Sequence, residues 1–250
     1  MTTLTTEVSE LIAKARKHYS PERAEHSKYF FKTGPGQYGE GDVFWGITVP
    51  EMKLLAKEYK NLNLKELTQL LADKVHELRL IGLLILVEKY QKASTDTERK
   101  EIYSFYIEYR AAANNWDLVD LSVYKIMGDY LIRFPKERGI LYHYILSKNM
   151  WERRMAIVAT MAFIRNGESE DVICLTGLLL VDKEDLIHKA CGWMLRELGK
   201  RDEAVLCDFL NKTAYLMPRT MLRYAIERFP EEKRQKYLKM KSLIINVFKI

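Results

Sequence analysis

The chain has 250 residues, 48% of them hydrophobic and 30% charged, the make-up of a soluble globular protein long enough for a large core. Twelve Gly and six Pro exclude a collagen-like or low-complexity chain, and three scattered cysteines (Cys174, Cys191, Cys207) with no CxxC pair speak against a disulfide framework or a cysteine zinc site. The net charge of +6 is concentrated: residues 181–250 hold 15 Lys and Arg against 10 Asp and Glu, the first 180 residues 25 against 24. A basic last third suggests a polyanionic partner, the bland alternative being a solvated face with no partner at all.

From the N-terminus, MTTLTTEVSELIAKARKHYS carries glutamates where a signal peptide has a basic region, so a cytoplasmic chain is expected. No uncharged apolar stretch approaches the ~18 residues of a membrane span. A helix over AEHSKYFFK is followed by the long irregular stretch Thr33–Val49, which holds five of the 12 glycines, and a new helix is expected near Pro50. His76–Tyr90 (HELRLIGLLILVEKY) has apolar residues at dense helical spacing, and similar patterns run through Trp116–Ile132, Trp151–Ile164, Leu186–Leu198 and Thr220–Phe229. Short breaks separate the later ones: FPKERG at 134–139, NGESE at 166–170, LGKRD at 198–202 and FPEEK at 229–233. No alternating strand pattern stands out.

These helices repeat. Similar starts occur at Asn114 (NNWDLVDLS), Asn149 (NMWERRMAI), Asp185 (DLIHKACGW) and Met217 (MPRTMLRYA), spaced by 35, 36 and 32 residues. A helix pair at that period is the signature of an α-solenoid, whose units bury their faces against one another. The expectation is a single all-α domain over 1–250, a solenoid of about 12–14 helices with a concave basic face.

Familiar chemical motifs do not survive inspection. Gly34-Pro35-Gly36-Gln37-Tyr38-Gly39 fits GxGxxG literally, but it follows a helix rather than a strand, so a structured loop is expected instead of a dinucleotide site. The five histidines show no HExxH or paired ligand spacing, which argues against a metal site. There is no GxSxG and no P-loop.

What remains is a tryptophan pattern. Trp116 precedes Asp120 by four residues, Trp151 precedes Arg154 by three, and Trp193 precedes Arg196 by three. On a helix each charge then shares a face with its indole. Trp116 with Asp120, Arg154, and Trp193 with Arg196 fall in three successive repeats, so these five side chains are expected to line one surface. For any single pair, a core tryptophan covered by a charge explains as much; recurrence in register is what favours a site. Indole faces attract cations, a carboxylate stabilises an oxocarbenium-like sugar, and arginines hold phosphates bidentately. Together they suit cleavage of a glycosidic bond whose base is already cationic and leaves without acid help.

At these residues the sequence resembles the AlkD-type alkylpurine DNA glycosylases, a HEAT-like-repeat family. The stretches that carry the resemblance are YFFKTGPGQYGEGDVFWGITVPE, NNWDLVD, MWERRMAI, IHKACGWMLRELGKRD and MPRTMLRYAIERFP, together spanning roughly residues 20–240. The resemblance implies excision of N3- and N7-alkylated purines, such as 3-methyladenine and 7-methylguanine, from duplex DNA by a monomeric chain without metal or cofactor. It implies catalytic roles for Trp116, Asp120 and Trp193, and DNA-binding roles for Arg154, Arg196 and Tyr29. Relatives lacking the later Trp and Arg are regarded as binding-only, which puts a chain with Trp193 and Arg196 on the active side. Base-excision enzymes ordinarily flip the target nucleotide; the family is thought to leave the base stacked and work from the backbone. A non-catalytic HEAT-like module that binds DNA or scaffolds proteins is the competing class. The tail SLIINVFKI (242–250) lies outside the resemblance.

Overall fold

The computed structural model describes residues 4–240, which form helices joined by short connections apart from one long loop between residues 30 and 49; the 242–250 tail lies outside the described residues. The chain divides into two compact units, one ending at Tyr130 and the other starting at Leu131. Among the described residues the single β feature is an isolated parallel bridge between Val43 and Val75.

The first unit contains α1 (Thr6–Arg16), α2 (Pro21–Phe30), α3 (Val49–Glu58), α4 (Leu64–Leu71), α5 (His76–Lys92), α6 (Asp96–Glu108) and α7 (Trp116–Val123). A π-helical turn, Tyr124–Gly128, carries α7 onward into α8 (Asp129–Arg133), so the expected helix 116–132 is present with a wider turn inside it. Local chemistry sets the starts. Ser20 accepts from the Arg23 N–H ahead of Pro21, Asn63 and Glu66 form a reciprocal capping box, and Thr95 and Glu98 form another. Helix α5 is the centre of this unit: Leu78, Leu80, Ile81, Leu83, Ile85 and Leu86 are all buried, so its apolar residues cover the whole circumference. It packs against α3, α4, α6 and α7. Each such side chain contributes about 1.5–3 kcal/mol by leaving water.

The Gly-rich stretch 33–48 is a built loop, and α3 begins at Val49. Val43 donates its N–H to Lys74 O (3.2 Å) and accepts from His76 N (2.8 Å). The Glu77 carboxylate then collects the N–H groups of Trp45, Gly46 and Ile47 at 2.7–3.3 Å. Gly46 has φ +72, and a Cβ there would stand 2.6 Å from Ala24 N, so both its backbone angle and its contact with α2 require glycine.

The second unit contains α9 (Gly139–Tyr144), α10 (Met150–Arg165), α11 (Glu170–Leu178), α12 (Asp185–Arg201), α13 (Glu203–Thr213), α14 (Arg219–Ala225) and α15 (Glu231–Leu238). Helix α10 is buried continuously from Arg154 to Ile164, as α5 is in the first unit. Here α10 packs on α12 and α12 on α14, while α11 and α13 pack against their sequence neighbours. In the first unit α3, α5 and α7 pack in the same alternating way. That is the helix-pair stacking the repeat predicts, and the four similar starts open α7, α10, α12 and α14.

Two boundaries differ from the sequence reading. The break expected at 198–202 shrinks to Asp202, which is extended (φ −142) and caps α13, because α12 continues to Arg201. Gly199 is present for packing: a Cβ on it would lie 2.4 Å from Leu206 Cδ2 of α13. The helix expected over Thr220–Phe229 ends at Ala225, and residues 226–229 form a turn closed by Phe229 N–H on Ile226 O at 3.0 Å.

Candidate functional site

In the first unit the candidate residues sit on α7. Asn115 caps it, accepting from the Trp116 N–H at 2.8 Å. Leu118, Val119, Ser122 and Val123 are buried, and Asp117 is 8% exposed. Trp116 and Asp120, one turn apart, stay half-buried on the remaining open face. The Trp116 indole stacks on Phe31 (centroids 5.4 Å apart, planes 22° apart) and meets the edge of Phe30 at 5.9 Å. Phe30 is 53% exposed beside it, and Tyr29, at the end of α2, is 86% exposed.

Beneath this aromatic layer lies a charge cluster. Phe31 also stacks on Phe44 (5.0 Å, 12°) and touches the His76 ring at 5.0 Å. His76 is buried, with Nδ1 3.2 Å from Asp42 Oδ2 and Nε2 2.8 Å from Asp117 Oδ2. Arg79 reaches Asp42 Oδ1 at 2.6 Å and Asn114 Oδ1 at 2.9 Å. Burial pushes the His76 pKa down, but hydrogen bonds to Asp117 and then Asp42, with the charges of both, outweigh it and hold His76 at about 9. Burial likewise opposes ionisation of Asp42, and His76 and Arg79 overcome it, leaving the Asp42 pKa lowered. Asp117 therefore does more than sit in the first turn of α7. It is the partner of a buried imidazolium.

The second unit holds the arginines. Arg154 is 4% exposed and donates Nη1 to Leu186 O of α12 at 2.5 Å. Its neighbour Arg153 pairs with Asp182 (2.6 Å) and donates to Ser147 O (2.9 Å). Trp151, whose N–H is capped by Asn149 at 2.9 Å, and Trp193 are both half-buried. Gly192, before Trp193, lets α14 come close, since a Cβ there would lie 2.5 Å from Met221 O. Arg196 pairs with Glu227 of the turn after α14 and lies 3.5 Å from Glu197.

The sequence patterns missed Phe31, His76, Asp42 and Arg79. A signal existed: in HELRLIGLLILVEKY, His76 and Arg79 are three apart on a helix otherwise apolar enough to be buried, which demands buried partners. Those partners lie in a glycine-rich loop and across 41 residues in α7, where spacing gives no hint.

Among the described residues, no group of three or more His, Cys, Asp or Glu could hold a metal ion, and no helix is long and apolar enough to cross a membrane. Stacked helix pairs carrying an aromatic and carboxylate face on α7 define an all-α helical-repeat protein. The chain belongs to the DNA alkylation repair enzyme family, whose model matches residues 11–229. Its fold is similar to that of a "Predicted DNA alkylation repair enzyme" from Enterococcus faecalis, with a TM-score of 0.66 at 19% identity, covering 86% of this chain and 98% of that one. It is also similar to AlkD2 from Streptococcus mutans, with a TM-score of 0.51 at 16% identity, covering 90% and 99%. Comparison with curated proteins found no match. Membership gives the protein a role in DNA alkylation repair, with DNA as its partner.

Proposed function

We propose that the protein is a monofunctional DNA glycosylase that hydrolyses the N-glycosidic bond of N3- and N7-alkylated purines in duplex DNA. The observation that supports this most is the open face of α7, where Trp116 and Asp120, one turn apart, stay half-buried while Leu118, Val119, Ser122 and Val123 are packed. A scaffold has no need of a carboxylate there.

In this reading the alkylated base already carries positive charge. The C1′–N bond breaks with its electron pair going to the base, which leaves neutral. The sugar passes through an oxocarbenium-like state that the Asp120 carboxylate stabilises by fixed charge. Water adds to C1′, and its proton passes to Asp120 or to solvent. The Trp116 and Trp193 indoles offer π-faces to the cationic groups. Arg154 and Arg196 hold phosphates, and Tyr29 supplies an exposed aromatic for a nucleotide. Metal and cofactor have no part in this scheme.

Incubation with duplex DNA containing 7-methylguanine, scored for free base by chromatography, tests it. Release of the base with the strand left uncut is the expected result. Binding without release would leave a non-catalytic DNA-binding module.

A further inference from the structure

The scheme above uses the surface of α7 and leaves unused the cluster that supports it. We propose that His76 is a positioning residue for base excision: clasped between Asp42 and Asp117, it fixes the first turn of α7 and, through Phe31, the plane of the Trp116 indole. The idea rests on the glycosylase reading for the reaction being positioned.

Three observations lead to it. The first is continuity: Trp116, Phe31 and His76 form an unbroken run of ring contacts, 5.4 Å and then 5.0 Å between centroids, and Phe44 completes a triangle with the last two, 5.0 Å from Phe31 and 4.6 Å from His76. The second is that both imidazole nitrogens face carboxylates, at 3.2 and 2.8 Å. Each nitrogen must then donate, so the ring is an imidazolium locked in orientation. The groups facing it are Asp42 from the loop, Asp117 from α7, and the Phe31 and Phe44 rings; Arg79 balances the second carboxylate through Asp42. Glu77 is turned away onto the amides of Trp45–Ile47. The third is cost. A buried ion cluster is weak evidence for stability, because apolar residues of similar volume often do as well. What it supplies is directional bonds, and here they end one residue after Trp116 and three before Asp120.

His76→Asn and Asp42→Asn in the full chain test this, each followed by three readouts. These are the single-turnover rate on 7-methylguanine duplex, the Kd for undamaged duplex, and the 19F resonance of 5-fluorotryptophan at position 116, assigned by Trp116→Phe. Small misplacement of reacting groups is costly, so excision should slow on the order of tenfold or more. The Kd should stay unchanged and the Trp116 resonance should move. A wild-type rate in folded His76→Asn overturns the proposal, and so does a slowed rate with the resonance unmoved or with the Kd weakened in proportion. If His76→Asn does not fold, Asp42→Asn carries the test on the same terms, because it loosens the clasp on His76 and leaves the rings against Trp116 in place. If the wild-type chain releases no base, the glycosylase reading falls by itself. The 19F arm then decides positioning: a shift supports it and an unmoved line overturns it.

Discussion

The candidate residues of the first unit rest on groups that are already fixed, whereas the arginines of the second do the fixing themselves. Trp116 stacks on Phe31, and beneath it Asp117, His76, Asp42 and Arg79 are buried and matched in charge. Arg154 spends a donor on Leu186 O, and Arg196 pairs with Glu227. In residues 181–250 further cations are engaged, among them Lys189 with Asp185, Lys200 with Glu197 and Lys233 with Glu203. Part of the basic charge read from composition is thus held in exchangeable surface pairs. Exposed pairs are worth about 0–1 kcal/mol, so phosphates can displace them cheaply. One unit offers preorganisation, the other offers charge that must change partners.

The largest expected difference between them is a pH effect. The His76 pKa is raised to about 9 in the fold, above an ordinary value near 6.5. Stability from its charged form is therefore full below about pH 6.5 and is lost as pH rises through about 9, a change on the order of a few kcal/mol. Amide exchange, corrected for its intrinsic pH dependence, should show α5 and α7 losing protection relative to α10 and α12 across that window. His76→Asn should abolish the difference. Equal loss in both units would break the comparison.

Next in size is the contrast between two arginines. Arg154→Ala removes a buried side chain and a donor to Leu186 O, and should cost about 2 kcal/mol of unfolding free energy. Arg196→Ala removes a half-exposed partner and should cost under about 1 kcal/mol. Both should slow excision more than Trp45→Ala, because Trp45 contributes its backbone N–H to Glu77 whatever its side chain. Equal stability losses on urea titration would mean that the two arginines do the same job.

The smallest effect sharpens the comparison most. Glu227→Gln releases Arg196, and undamaged duplex should bind a few-fold more tightly, within about 1 kcal/mol. In the wild-type chain that affinity should fall steeply with salt and vary little with sequence, as phosphate-dominated binding does. Unchanged or weaker binding by Glu227→Gln would show that Arg196 does not meet DNA.

Helix periodicity and repeat spacing made the fold legible, because a solenoid writes its packing into local pattern: the four starts read from sequence each open a helix. The i+4 spacing of Trp116 and Asp120 likewise placed both on one face. Boundaries were less legible at Gly199, which resembles a chain break and is a contact for Leu206. The support under Trp116 was legible only as a buried His76 and Arg79 in need of partners, not as the partners themselves. Asp42, His76 and Asp117 lie 34 and 41 residues apart, and only folding brings them together.

The central claim, that the Asp120 charge drives cleavage, is tested most directly by single-turnover excision of 7-methylguanine by Asp120→Asn beside Asp117→Asn. The amide keeps shape and removes charge. Asp120→Asn should slow excision on the order of 10²–10³-fold while binding undamaged duplex as well as or better than wild type. Asp117→Asn breaks the contact to His76 and should cost stability and slow excision only on the order of tenfold, well short of Asp120→Asn. A folded Asp120→Asn that works at the wild-type rate, or an Asp117→Asn in which chemistry alone is abolished, would contradict the account.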